Sequence, residues 1–298
     1  MKKLLTAGGG NVPFIGLGTY PLIGREMADM VRKAYLIGYR LFDTADDYHG
    51  EAGIGIAIGE MTSDGTCRRE DLFIQTKISA DSSYNDEPLT GVFFNKYSKF
   101  MHRHSVAEIV NEKVENSLRE MKTDYIDSLL IHLPYPGYIE DIWAAMIKLK
   151  EEGKVRYIGV SNFHQRHIEL IGKTGELPAV NEIYISPIGT KQEQVDYNAS
   201  KDILLMTYSP LMDLASNRIP VEKLTPMMEK YNKSAAQVIL RWNIERGCLP
   251  LPKTKNSLRL KENFDIFDFS LTKEETEYIS SLNYDYQYMP ESTLCPGL

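Results

Sequence analysis

Cysteine is sparse in this chain of 298 residues: Cys67, Cys248 and Cys295 are the three present, and their spacing suits no metal centre. An odd count with no signal segment is the pattern of reduced thiols in a cytosol. No apolar run reaches about 18 residues, which leaves no segment able to cross a bilayer as a helix. Met1-Lys2-Lys3-Leu4-Leu5 runs into Gly8-Gly9-Gly10-Asn11, so no apolar signal region follows the lysines and a cytoplasmic location is expected. Positive charge is also in deficit, with 34 Lys and Arg against 41 Asp and Glu for a net charge of -7. Such a surface repels phosphate backbones, so nucleic acid is not an expected partner and any bound anion needs a local cluster of cations. No Gly-x-Gly-x-x-Gly follows a strand, and Gly16-Leu17-Gly18 is too short to serve as one. Solenoid repeats, low-complexity stretches and shifts in composition are absent too, and 1–298 reads as a single domain.

What the chain does have is alternation. Short apolar runs of strand length at Phe14 to Gly18, Arg40 to Asp43, Leu72 to Lys77, Ile126 to Ile131, Val155 to Val160, Val180 to Ile185, Ile203 to Tyr208 and Leu249 to Leu251 alternate with segments of helical period. The helices are expected at Glu26 to Ile37, Ala52 to Met61, from Ser105 onward, and at Ile139 to Lys150, Gln165 to Ile171, Gln192 to Lys201, Val221 to Tyr231 and Ala235 to Glu245. Ser105 with Glu108 and Thr272 with Glu275 have capping-box spacing, the second opening a last helix to Leu282 before a short irregular tail. Eight βα pairs predict an α/β fold, an eight-fold βα (TIM) barrel with parallel strands.

Four polar residues fall at or just past the ends of these strands: Asp43, Tyr48, Lys77 and His132. Barrel enzymes build their sites at the carboxyl ends of the strands, so the four are expected to meet. A tyrosine titrates near pH ~10 and donates a proton weakly; an adjacent Lys77 ammonium would lower that value, and Asp43 would keep the ammonium charged. His132 could donate a hydrogen bond to the same carbonyl oxygen that Tyr48 protonates. A general acid beside an oxyanion donor suits carbonyl reduction when a hydride source lies alongside.

The segment Gly38-Tyr39-Arg40-Leu41-Phe42-Asp43-Thr44-Ala45, followed by Tyr48, Glu51 and Gly55, resembles the first signature of the aldo-keto reductases. Lys77, His132, Ser161-Asn162, Tyr208-Ser209-Pro210-Leu211 and Pro252-Lys253-Thr254 with Arg259, Glu262 and Asn263 extend the resemblance from about Pro13 to Leu282. It implies Tyr48 as the acid, Lys77 and Asp43 as the groups that tune it, and His132 as the group that orients the carbonyl. It also implies NADPH, with Tyr208 beneath the nicotinamide, Ser161, Asn162 and Glu182 at the carboxamide, and Gly18, Thr19, Asp43, Ser209 and Leu211 along the cofactor. Lys253, Thr254 and Arg259 would hold the 2'-phosphate, in a run where Lys253, Lys255, Arg259 and Lys261 concentrate positive charge, and Glu262 and Asn263 would meet the adenine. The substrate would meet Tyr20, Tyr48, His132 and Leu133.

Some positions depart from the family pattern. Glu182 stands where Gln is common, and Met212 and Asp213 replace small and hydroxyl residues near the pyrophosphate, where a carboxylate repels unless it turns away or pairs with a cation. Tyr20 and Leu133 stand where Trp is frequent, which predicts a wider pocket. Two other readings remain: a Schiff-base aldolase using Lys77, disfavoured because Asp43 would keep that amine protonated, and a cofactor-sensing subunit with little turnover. The stretch Ser79 to His104 is long for a barrel connection, and its Tyr84, Phe93, Phe94, Tyr97 and Phe100 predict a packed wall or lid over the substrate. His102 and His104 lack a third ligand, so no metal is expected. A monomer or weak homo-oligomer acting on a small carbonyl compound completes the expectation.

Overall fold

A computed structural model describes residues 12–79, 105–135 and 137–289. The strands are β1 (Gly16–Gly18), β2 (Leu41–Asp43), β3 (Phe73–Ile78), β4 (Ile126–Ile131), β5 (Val155–Ser161), β6 (Val180–Tyr184), β7 (Leu204–Tyr208) and β8 (Leu249–Leu251). Each pairs in parallel with its neighbour in sequence, and a bridge from Gly18 to Lys253 brings the eighth beside the first. The expected eight-stranded βα barrel is the fold.

The intervening helices are α1 (Gly24–Ile37), α2 (Glu51–Ser63), α3 (Val106–Met121), α4 (Ile139–Glu151), α5 (Gln165–Gly172), α6 (Gln192–Ser200), α7 (Met212–Ala215), α8 (Thr225–Tyr231), α9 (Ala235–Glu245), α10 (Ser257–Phe264) and α11 (Lys273–Ser280). Their ends follow local chemistry. Gly38 closes α1 at φ 132°, a conformation costly for any side chain, while its N–H returns to the carbonyls of Ala34 and Tyr35. Ser105 and Glu108 form the expected capping box. The single helix expected over Val221 to Tyr231 is instead a tight turn at Val221–Lys223 followed by α8, because Pro226 has no N–H to give and fits only a first turn. Helix α10 was unexpected; its start is fixed by Asn256, whose side chain accepts from the N–H groups of Leu258 and Arg259.

The barrel interior is layered. Leu41, Phe73, Leu130, Val180, Met206 and Leu251 form a buried apolar cluster, with Val12 packed into it. Side chains two residues apart share a face of a strand, so Asp43, Gln75, Lys77, Glu182 and Tyr208 follow toward the carboxyl ends. Apolar packing below thus sets a floor for the polar groups above. The proposed lid over Ser79 to His104 lies, beyond Ser79, outside the described residues, as do His102, His104 and 290–298.

Helix α2 carries a buried acid. Glu51 accepts hydrogen bonds from Thr76 Oγ1 at 2.7 Å and Ser117 Oγ at 3.0 Å, bridging β3 and α3. Burial pushes its carboxyl up to about 7 against the opposing effect of the two hydroxyls. A raised carboxyl value means that the native state prefers the protonated form, so this contribution is complete below about 4.5 and is lost as pH rises through about 7. Glu51→Gln mimics the protonated acid, and urea titrations should find it more stable than the parent at pH ~8 by ~1–3 kcal/mol, with the gap vanishing near pH ~4. A variant less stable than the parent at the higher pH would contradict the assignment.

Candidate active site

Asp43 ends β2 opposite Gln75, and Lys77, the penultimate residue of β3, stands two residues further along on the same face. Lys77 Nζ lies 2.5 Å from Asp43 Oδ1, 3.1 Å from the carbonyl of Thr44 and 3.3 Å from Glu182 Oε2. With 1% of the side chain exposed, burial alone would favour a neutral amine, but Asp43 and Glu182 outweigh it and hold Lys77 charged above its usual range. Gln75 donates its amide to Asp43 Oδ1 at 3.0 Å and to Glu182 Oε2 at 2.8 Å. Thr19, fully buried, donates both its N–H and its hydroxyl to the Asp43 carbonyl, and the Gly18 N–H meets the carbonyl of Pro252. The end of β2 is therefore fastened on two sides.

Tyr48 closes a 3₁₀ turn, Asp46–Tyr48, immediately before α2. Its ring centroid lies 5.5 Å from Lys77 Nζ, and its hydroxyl is 3.4 Å from His132 Nε2. The sequence predicted that Lys77 would lower the ionisation of this phenol. Burial is the larger influence, so Tyr48 sits above its usual range, with Lys77 only moderating the rise and Asp43 and Glu182 adding to it. At neutral pH the phenol keeps its proton.

His132 follows β4, where its N–H donates to the carbonyl of Ile78. Its Nδ1 is 2.7 Å from Ser79 Oγ and 3.5 Å from Asp47 Oδ1. Burial would raise the Asp47 carboxyl, but its pairing with His132 and Ser79 brings it below the usual range. Sequence reasoning missed both partners, although Ser79 lies two residues beyond Lys77 and Asp47 directly precedes Tyr48. They leave the Nε2 edge of the imidazole turned toward the Tyr48 hydroxyl.

Beyond β5, Ser161 Oγ donates to the Glu182 carbonyl at 3.0 Å and accepts from Asn162 Nδ2 at 3.0 Å. Asn162 Nδ2 also reaches the His132 carbonyl at 3.2 Å, and Asn162 Oδ1 accepts from the Tyr208 hydroxyl at 2.9 Å. Asn162 and Ser209 both hold positive φ, 62° and 49°, in the left-handed region that non-glycine residues seldom occupy. One hydrogen-bonded strip thus joins Tyr208 to the carbonyl of His132. Tyr208 and Asn162 also line a cavity with Tyr184, His164, Gln194 and Tyr288.

Asp213 does not threaten a phosphate. It is fully buried, accepts from the Tyr184 hydroxyl and lies 3.6 Å from Arg218 Nη1, while Leu211 remains half-buried before it. Its charge is turned inward and paired. At the end of β8, Lys253 and Arg259 are exposed, Lys255 is engaged with Glu26 at 3.2 Å, and Thr254 is buried. Asn263 is buried, and Glu262 accepts from Ser234 Oγ at 2.5 Å. Toward the mouth, Tyr20 packs on Tyr48 with centroids 5.0 Å apart and is 56% exposed, whereas Leu133 leans partly on the outer core. Among the described residues no cluster could hold a metal ion.

The model of the Aldo/keto reductase family matches residues 15–284. Glyoxal reductase of Bacillus subtilis is 37% identical over 285 residues, covering 95% of this chain and 93% of the relative. A methylglyoxal reductase of Escherichia coli K12 is 32% identical over 287 residues, covering 95% and 94%. Among solved structures, a Bombyx mori aldo-keto reductase in complex with NADP matches with a TM-score of 0.81 at 30% identity, covering 96% of this chain and 94% of that one.

Proposed function

We propose that the chain, which belongs to the aldo/keto reductase family, reduces a small aldehyde or ketone to the alcohol with NADPH, using Tyr48 as proton donor. The observation that carries this reading is the stack of Tyr48 over a buried, charged Lys77, with His132 Nε2 3.4 Å from the hydroxyl. When bound, NADPH supplies a hydride to the carbonyl carbon. The oxygen then gains negative charge, and an alkoxide is far more basic than a phenolate, so Tyr48 gives up its proton even though burial makes it a weak acid. Lys77 offsets the phenolate left behind, and His132 Nε2 steers the oxygen toward the hydroxyl.

The residues present suit the cofactor. Tyr208 offers a ring beside Asn162 and Ser161, whose amide and hydroxyl can meet a carboxamide, whereas Glu182, 2% exposed, is already held by Gln75 and Lys77 instead of reaching the cofactor. Thr19 and Gly18 border Asp43, Ser209 and Leu211 follow Tyr208 in the chain, Lys253 and Thr254 lie between β8 and α10, and Arg259, Glu262 and Asn263 lie on α10. Two exposed cations on an otherwise acidic protein suit an extra phosphate. The names of the relatives point to glyoxal and methylglyoxal as first substrates to try. The charged state of Lys77 opposes a Schiff base, which needs the neutral amine.

A panel of carbonyls assayed with NADPH and NADH tests the reading. Turnover of small oxoaldehydes with NADPH preferred is expected. Borohydride trapping of substrate on Lys77 without cofactor would replace it by the aldolase, and cofactor binding without turnover across the panel would replace it by the sensor.

A further inference from the structure

The buried ammonium has two acidic neighbours. Lys77 Nζ is held by Asp43 from β2 at 2.5 Å and by Glu182 from β6 at 3.3 Å, and the Gln75 amide from β3 ties the same two carboxylates together. Glu182 and Lys77 are only 2% and 1% exposed, so neither charge is screened by water. The Glu182 side chain also shares a hydrogen bond with Asp43, its main-chain carbonyl accepts from the Ser161 hydroxyl and the Asn162 N–H, and Met206 from β7 is its apolar partner in register. Tyr48 faces the cluster from the turn before α2 and bears the field of every member.

We propose that Glu182 is a positioning residue that reaches from β6 to grip Lys77 beside Asp43, and that its negative charge, once acquired above neutral pH, keeps Tyr48 in its proton-bearing form and so handicaps alcohol oxidation. This rests on Tyr48 being the acid. Oxidation runs the chemistry backward: the alcohol loses a hydride to bound NADP⁺ and its hydroxyl proton to the Tyr48 phenolate. One cation serving one carboxylate would favour that phenolate; one cation shared between two favours it less. Burial and the neighbouring Asp43 raise the Glu182 carboxyl, so its charge arrives as pH climbs, ahead of the pH at which the phenol would ionise. The restraint on Tyr48 is therefore strongest where oxidation would otherwise gain.

The test is the pH profile of kcat/KM for alcohol oxidation at saturating NADP⁺ in the parent, Glu182→Gln and Glu182→Asp. Glu182→Gln keeps the shape and removes the charge, and should move the rising limb of oxidation to lower pH by about one pH unit or more, the size expected for a unit charge several ångströms away in a protein interior. Glu182→Asp, which keeps the charge on a shorter arm, should return the limb toward the parent. An ultraviolet difference titration of cofactor-free protein, each background compared with its own Tyr48→Phe variant, reads the same shift without turnover. A limb and a phenolate titration that stay in place while only the rate falls would overturn the proposal, leaving Glu182 a merely structural contact. Activity surviving in Tyr48→Phe would instead overturn the assignment of the acid.

Discussion

Tyr48→Phe is expected to lower kcat for carbonyl reduction by at least about 100-fold while leaving NADPH affinity within a few-fold of the parent, since general acids contribute that much or more. The hydroxyl removed makes one described contact, the 3.4 Å approach to His132 Nε2, so the ring can stay packed on Tyr20 and over Lys77. Loss of a proton donor with the fold intact is the cleanest separation of chemistry from binding that this site permits. Circular dichroism and cofactor fluorescence should match the parent. Retention of more than about a tenth of the turnover would mean that another group protonates the oxygen.

The second large effect concerns the cofactor's phosphate. Arg259→Ala should weaken NADPH by about 10- to 100-fold and NADH by little, because a charge-assisted contact to phosphate is worth ~1.5–3 kcal/mol and only one of the two cofactors offers the group. Arg259 stands exposed in the first turn of α10, and its backbone N–H is already committed to the Asn256 side chain. The substitution therefore removes a cation without removing the helix cap. Lys253→Met should act in the same direction. Equal losses for both cofactors in a fluorescence titration would show that the start of α10 does not read the 2'-phosphate.

Much of the architecture was legible because short apolar strands alternate with capped helices. Strands β4 and β8, helix α9 and the Ser105 cap lie where the residues alone place them, for hydrophobic period and side-chain caps are local properties. The four residues at the strand ends were legible for a similar reason, as the barrel topology carries them to one face. Helix α10 was not, because eight residues give barely two turns of period to read and its cap is an Asn that serves equally well in turns. The sign of the Tyr48 shift was misjudged: charge partners can be guessed from sequence, but the burial that outweighs Lys77 depends on packing by distant segments. Whether Asp213 repels a phosphate or turns away into a pair was open in the sequence, because Tyr184 and Arg218 reach it only in the folded chain. The pairing of Asp47 and Ser79 with His132 likewise joins three separate segments.

The most direct measurement of the central claim is isotope transfer. Incubation of the protein with methylglyoxal and NADPH carrying deuterium at the transferring carbon of the nicotinamide should give an alcohol with one deuterium bound to the former carbonyl carbon, read by mass spectrometry. The same incubation with Tyr48→Phe should give almost none. A product formed at the parent rate without deuterium, or a covalent adduct on Lys77 in its place, would contradict the reductase account.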